Sequence, residues 1–191
     1  ISRFVPALRM QMFQNNPDMS SRNIEDLPGM KQLVHLPDNL LYVMEARVNI
    51  SYSMKNGYGV DPVMTRKMKS FTKEGESYAE IGGSNYGEFA LQMRKTLGSD
   101  GVVYIFESDQ ILSQYYATNR FLNNASNVNL EGDVVVMDSY FQDRESSLDI
   151  VRINPGENAC NILGGMENII DSSKDLRLFI KWSSGTEKCL A

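Results

Sequence analysis

From residue 77 onward the chain alternates short apolar runs with segments of helical spacing, and this alternation narrows the fold more than any other feature of the sequence. "SYAEIG" (77 to 82) is an apolar run that ends in glycine, consistent with a buried parallel strand. "YGEFALQMRKTLG" (86 to 98) spaces Phe89, Ala90, Met93 and Leu97 as one helical face and closes on Gly98. "GVVYIFE" (101 to 107) is a second strand, and "SDQILSQYYATNRFLNNA" (108 to 125) begins with a Ser-Asp cap and sets Ile111, Tyr115 and Leu122 on one face. "NVNL" and "DVVVMDSYF" read as further extended runs, and "LDIVRIN" (148 to 154) and "LRLFIKW" (176 to 182) as strands. Between the last two, "ENACNILGGMENIIDSS" reads as one amphipathic helix. Strand, helix, strand in this order predicts βαβ units: an α/β, doubly wound, mostly parallel sheet with helices on both faces.

Residues 1 to 60 differ in character. Pro6, Pro17 and Pro37 and clusters such as "NNPDMSSRN" mark turns, while "LLYVMEARVNISYSM" is apolar enough to pack. The expected organisation is an N-terminal extension or cap over 1–60, without chemistry, followed by a ligand-binding domain over 61–191. At the junction Asp61 can cap a helix, Pro62 can occupy its first position and Gly75 can stop it.

Composition bounds the partners. A net charge of -5 and a pI near 5.0 leave no basic footprint for nucleic acid, so a small or neutral partner is expected. No apolar run approaches the roughly 18 residues of a spanning helix, so no membrane partner is expected. Cys160 and Cys189 form no disulfide framework or CxxC pair, which points to a reducing, cytoplasmic setting, and His35 alone offers little to a zinc site, so no metal is expected. The eleven methionines read as core filling and Trp182 as packing. Oligomeric state is not readable.

The first turn of the alternation, "EIGGSNYG", carries the functional signal. Gly82, Gly83 and Gly87 lack Cβ atoms, so the backbone can turn sharply and a ligand can lie against it. The helix that follows presents unpaired N–H groups to an anionic group. Glu107 ends the next strand 20 residues after Gly87, the spacing at which a carboxylate accepts hydrogen bonds from ribose hydroxyls. Taken singly, a glycine cluster is often only a tight turn and an acid at a strand end a solvated charge; together, in this order, they favour a nucleoside ligand. The glycine spacing fails both the GxGxxG fingerprint and the GK[ST] phosphate loop, which disfavours a nicotinamide dinucleotide. A nucleoside bearing a carboxylate remains, and S-adenosylmethionine has that shape.

At these residues the chain resembles the FkbM-type class I S-adenosylmethionine-dependent methyltransferases. "GSNYGEF" (83 to 89) is similar to the end of that family's "DxGANxGxF", "FESD" (106 to 109) to its "FEPD", and "LDIVRINPGENACNILGGM" (148 to 166) to its "IDLIKIDVEGAE…VLKGM". The resemblance covers roughly 62 to 183. It implies a Rossmann-like methyltransferase sheet with S-adenosyl-L-methionine as cofactor. Glu80, Gly82, Gly83, Ser84, Asn85 and Gly87 would surround its methionine and ribose end, Glu107 would hold the ribose, and Asn154 would lie near the transferred methyl. Ser108 or Asp109 would approach the adenine edge, with helix capping as their preferred role. Asp138 and Tyr140 either face an acceptor or start a helix; His35 is a weak base candidate.

The departures carry equal information. Glu80 stands one residue further from Gly87 than the family's acid does, and "RINPGENA" places Arg152, Asn154 and Ala159 where the family has Lys, Asp and Glu. An asparagine cannot act as a base, so no catalytic residue is assigned. The sixth and seventh strands of such a sheet are not found after Trp182, which implies segments beyond this chain. The expected function is O-methylation of a small molecule or glycan, or, as the alternative, a non-catalytic methyltransferase-like domain that binds a nucleoside ligand or a protein partner.

Overall fold

The computed structural model describes residues 31–45, 59, 61–82, 85–132, 136–142, 148–154 and 159–181. The expectations for residues 1–30, for Gly83 and Ser84, for Trp182 and for Cys189 fall outside them.

Seven strands are present among the described residues. β1 (Lys31–Leu36) and β2 (Leu40–Glu45) form an antiparallel hairpin. β3 (Ser77–Ile81), β4 (Val102–Phe106), β5 (Val128–Glu131), β6 (Ile150–Ile153) and β7 (Arg177–Ile180) form a second sheet in the order β5-β4-β3-β6-β7, with every neighbouring pair parallel. Counted within that sheet, the order is third, second, first, fourth, fifth, which is the doubly wound Rossmann-like order. The helices are α1 (Pro62–Ser70), α2 (Glu88–Leu97), α3 (Gln110–Leu122), α4 (Met137–Phe141), α5 (Ala159–Gly164) and α6 (Glu167–Ser172).

Because successive strand residues point to opposite faces, the sheet builds two cores. Tyr78, Val103, Ile105, Val128 and Ile150 face α2, α3 and the hairpin, sharing a cluster with Leu40, Tyr42, Phe89 and Met93. Ala79, Ile81, Tyr104, Phe106, Val151 and Ile153 face the other way, toward Met137, Phe141, Met166 and Ile169. The central strands β3, β4 and β6 are buried on both sides, as a sheet covered on both faces requires.

The helix ends follow local chemistry. Asp61 accepts from the Met64 amide at 2.9 Å with Pro62 at the first helical position. α1 stops at Ser70, five residues before the glycine expected to end it, because Phe71 closes the helix with bonds from its N–H to the Lys69 and Met68 carbonyls. Asp109 caps α3 by accepting from Ile111 and Leu112 amides.

Four expectations are corrected. Residues 137–141 are helical rather than extended. The single helix expected after residue 157 is two short helices, α5 and α6, separated at Gly165 and Met166. The carboxylate of Asp138 accepts from the Asn168 and Ile169 amides at 3.0 Å each, capping α6; a separate helix with its own start needs that cap. On α3 the buried face is Tyr115, Tyr116 and Asn119, and Ile111 lies out in solvent. Cys160 is disulfide-bonded, which removes the ground on which a reducing setting was expected. Among the described residues no helix is long and apolar enough to cross a membrane.

Candidate functional site

The chain leaves β3 toward β4 on one side and returns from β5 to β6 on the other, so the strand order switches between β3 and β6. Ligands of doubly wound sheets bind outside the carboxyl ends of the strands at such a point. The first residue past each strand is held across the sheet. The Gly82 amide donates to the Phe106 carbonyl at 3.3 Å, that of Glu107 to Glu131 at 3.3 Å and that of Asn154 to Ile81 at 2.9 Å. These bonds place Glu107, Gly82 and Asn154 side by side along one edge.

Between Gly82 and α2, three of the described residues lie in the left-handed region, with φ of 67° at Gly82, 58° at Tyr86 and 87° at Gly87. Glycine takes this conformation freely, whereas Tyr86 does so at a cost. At Gly87 the absence of a side chain is also spatial: a Cβ there would lie 2.8 Å from Cδ1 of Tyr116. Gly87 is the N-cap of α2 and brings no side-chain cap, so the first amides of that helix have no capping side chain.

Glu107 is buried at the end of β4. Its Oε1 accepts from the Asp109 amide at 2.8 Å, and its Oε2 from the Tyr116 hydroxyl at 3.5 Å. Burial raises its pKa above the usual carboxylate value and the nearby Asp109 charge adds to this, while those hydrogen bonds act in the opposite direction. The Ser108 amide is a third donor to this carboxylate; an ionised carboxylate has about four acceptor positions, so capacity remains for a ribose hydroxyl.

Glu80 faces the α2–α3 side and is fully buried. Its Oε1 is 3.3 Å from Nη1 of Arg152, its cross-strand neighbour, and its Oε2 accepts from the Tyr78 hydroxyl at 3.3 Å. The Arg152 guanidinium also lies 4.0 Å from the centroid of the Phe89 ring. Glu80 therefore joins β3 to β6 through a buried ion pair.

Of the residues read from sequence, Gly82, Glu107 and Asn154 share the edge, and Gly87 closes the turn. Glu80 lies beneath it in the interior. Asn85 belongs to the turn's short 3-10 segment, Ser108 is exposed, and Gly83 and Ser84 lie outside the described residues. His35 is exposed on β1. Among the described residues no cluster of three or more His, Cys, Asp or Glu could hold a metal. Two residues around the site went unread, Tyr116 and Asn119. The signal was present as "YYATN" (115 to 119), which sets Tyr115, Tyr116 and Asn119 on one face of α3.

No known protein-family profile matches the chain, and no curated protein matches its sequence. Solved structures do resemble it. A SAM-dependent methyltransferase from Aquifex aeolicus is 17% identical over 64% of this chain and 69% of its own, with a TM-score of 0.47. TYW2 from M. jannaschii, solved in complex with AdoMet, is 18% identical over 71% of this chain and 56% of its own, with a TM-score of 0.49. A protein-L-isoaspartate O-methyltransferase is 21% identical over 49% of this chain and 28% of its own, with a TM-score of 0.39. The chain thus spans from about a quarter to about two thirds of the length of these proteins.

Proposed function

We propose that the edge formed by Gly82, Gly87, Glu107 and Asn154 binds S-adenosyl-L-methionine and that the chain is, or belongs to, a methyltransferase acting on a small molecule or glycan hydroxyl. The observation that carries this reading is Glu107. A buried carboxylate with spare acceptor capacity stands beside a left-handed glycine turn at the carboxyl end of the sheet, and an adenosyl ribose supplies a hydroxyl donor to it. Gly82 and Gly87 let the backbone approach the methionine end, with Gly83, Ser84 and Asn85 completing the turn in the sequence, and the uncapped first turn of α2 favours an anionic group such as its carboxylate. Asp109 is engaged in capping α3, which leaves Ser108 as the residue of "FESD" free to meet the adenine edge.

When bound, S-adenosylmethionine supplies an electrophilic methyl group for an in-line displacement. The contribution of this chain is to hold and orient: Glu107 fixes the ribose, the turn fixes the amino-acid end, and Asn154 offers a hydrogen bond beside the switch point. Positioning of this kind can supply a large share of the rate. Asn154 cannot take a proton, so the acceptor must be acidic enough to react without a base from this position or must find one elsewhere.

The substitutions in "RINPGENA" favour a second reading, a methyltransferase-like domain that binds the nucleoside without turning it over. Calorimetry with S-adenosylmethionine, S-adenosylhomocysteine and NAD separates the readings. The first predicts saturable binding of both sulfur ligands and none of NAD, with turnover on a hydroxyl acceptor. Binding without turnover across an acceptor panel selects the second, and no binding of either sulfur ligand overturns both.

A further inference from the structure

We propose that Asn119 is a positioning residue that makes the β1–β2 hairpin part of the cofactor turn, so that hairpin docking and binding at the turn reinforce one another. The proposal rests on the adenosyl reading above and assigns a role to a segment whose sequence suggested none.

Asn119 is 1% exposed, and its side-chain amide makes three hydrogen bonds. Oδ1 accepts from the Val43 amide at 2.6 Å, and Nδ2 donates to the Val43 carbonyl at 3.0 Å and to the Tyr86 carbonyl at 2.9 Å. Both protons of Nδ2 are therefore in use. Asn123, one helical turn later, repeats the pattern on Leu41, accepting from its amide at 2.8 Å and donating to its carbonyl at 2.5 Å. The spacing matches because four residues of helix rise about 6 Å and two residues of strand about 6.6 Å. An outward edge of β2 is thus paired by two asparagines rather than by another strand, which satisfies groups that burial would otherwise leave costly.

The target of the third bond distinguishes the two: Asn123 donates within its own helix, to the Asn119 carbonyl at 2.7 Å, whereas Asn119 donates to the carbonyl of Tyr86. Docking the hairpin needs only the pair of bonds to the strand, yet Asn119 also reaches the glycine turn at a strained residue. Tyr86 holds φ of 58°, a conformation that persists only where the surroundings over-determine it. Here its ring packs edge-on against Tyr115 at 4.8 Å and its carbonyl is taken by Asn119. Tyr116, on the same face of α3, fills the space over Gly87 and donates to Glu107. One face of α3 therefore sets the turn, the ribose acid and the hairpin at once. Coupling of this kind is reciprocal: whatever steadies the turn must also steady the hairpin.

The test is amide hydrogen exchange on the full chain with and without S-adenosylhomocysteine, combined with its affinity for Asn119→Ala and Asn123→Ala. In the wild type the Val43 amide should slow about five- to tenfold on saturation, more than that of Val151 in the sheet. Asn119→Ala should bind S-adenosylhomocysteine about tenfold more weakly and lose the slowing, whereas Asn123→Ala, which loosens the hairpin without touching the turn, should keep it. Unchanged Val43 exchange in a wild type that binds, or an Asn119→Ala variant of wild-type affinity, overturns the proposal alone. A wild type that does not bind S-adenosylhomocysteine overturns the cofactor reading and this proposal with it. The wild-type exchange result needs no variant, so a failure of Asn119→Ala to fold leaves the decision intact.

Discussion

The two faces of the large sheet are built on different principles. The face toward α4, α5 and α6 is a hydrocarbon and aromatic core, where Tyr104, Phe106, Tyr140 and Phe141 stack edge to face. The face toward α2, α3 and the hairpin mixes apolar packing with buried polar groups: Glu80, Glu88, Gln92, Asn119 and Arg152 lie within it. Apolar packing tolerates many solutions of about the right volume, whereas a buried polar network holds its members in one arrangement or is severely penalised. The glycine turn and Glu107 are held from the second face. Position at the ligand edge is thus specified where the core is least forgiving.

The largest test of this difference is Arg152→Met. Removing the guanidinium leaves the buried carboxyl of Glu80 without its ion-pair partner, and the variant should lose about 3–5 kcal/mol of stability in denaturant melts. The double variant with Glu80→Gln should recover most of it. A nearly neutral single variant would show that the network does not hold this face together.

Gly87→Ala comes next. It places a side chain at φ of 87° and drives a Cβ against the Tyr116 ring. Strain and displacement together should cost about 2 kcal/mol, and S-adenosylhomocysteine should bind more weakly because Tyr116 carries the Glu107 bond. A variant that loses stability but keeps full affinity would separate the turn from the site.

The raised pKa of Glu107 sets a third expectation. With the folded value above the unfolded one, the protonated carboxyl is the form the fold favours. Its stabilising effect is present below the unfolded pKa and lost as pH rises through the folded one. A ribose diol needs the ionised form. Affinity for S-adenosylhomocysteine should therefore fall as pH drops through a midpoint above the ordinary glutamate value of about 4.3, approaching tenfold per pH unit below it. Glu107→Gln should abolish that dependence, and an unchanged profile would assign the titration to another group.

The smallest effect sharpens the comparison from the other side. Tyr42 is fully buried on the polar face, and its hydroxyl has no hydrogen-bond partner among the described residues. Tyr42→Phe removes a polar atom that finds no compensation, so stability should stay within about 0.5 kcal/mol or rise. A clear loss in the melt would reveal a partner, such as a buried water, that the network depends on.

The sequence makes the large sheet readable because both cores leave their mark on each strand. "SYAEIG", "VVYIF" and "IVRI" are continuous apolar runs broken only by Glu80 and Arg152, and those two pair with each other. The ends of strands and helices were legible wherever a side chain writes them, as Asp61 and Asp109 do. What escaped depends on contacts distant in sequence. The break between α5 and α6 is stabilised by Asp138, some thirty residues away, and no local pattern announces it. Helical spacing sets Ile111 on one face with Tyr115 and Leu122, yet the inner face of α3 is chosen by what the hairpin and the turn need, which is Tyr115, Tyr116 and Asn119. At the site, Gly82, Gly87 and Glu107 were readable from spacing, because a turn and a strand end have fixed chemistry. Tyr116 and Asn119 were not, since both act through residues more than eight positions away.

The central claim is that Glu107 holds the ribose of an adenosyl ligand. Titration calorimetry of S-adenosylhomocysteine into the wild type and into Glu107→Ala, with thermal melts of both, tests it directly. Wild-type binding that weakens at least about tenfold in the variant, as the loss of hydrogen bonds to a charged group requires, with the fold retained, is the predicted result. Equal affinity in the two proteins, or no binding to the wild type, would contradict it.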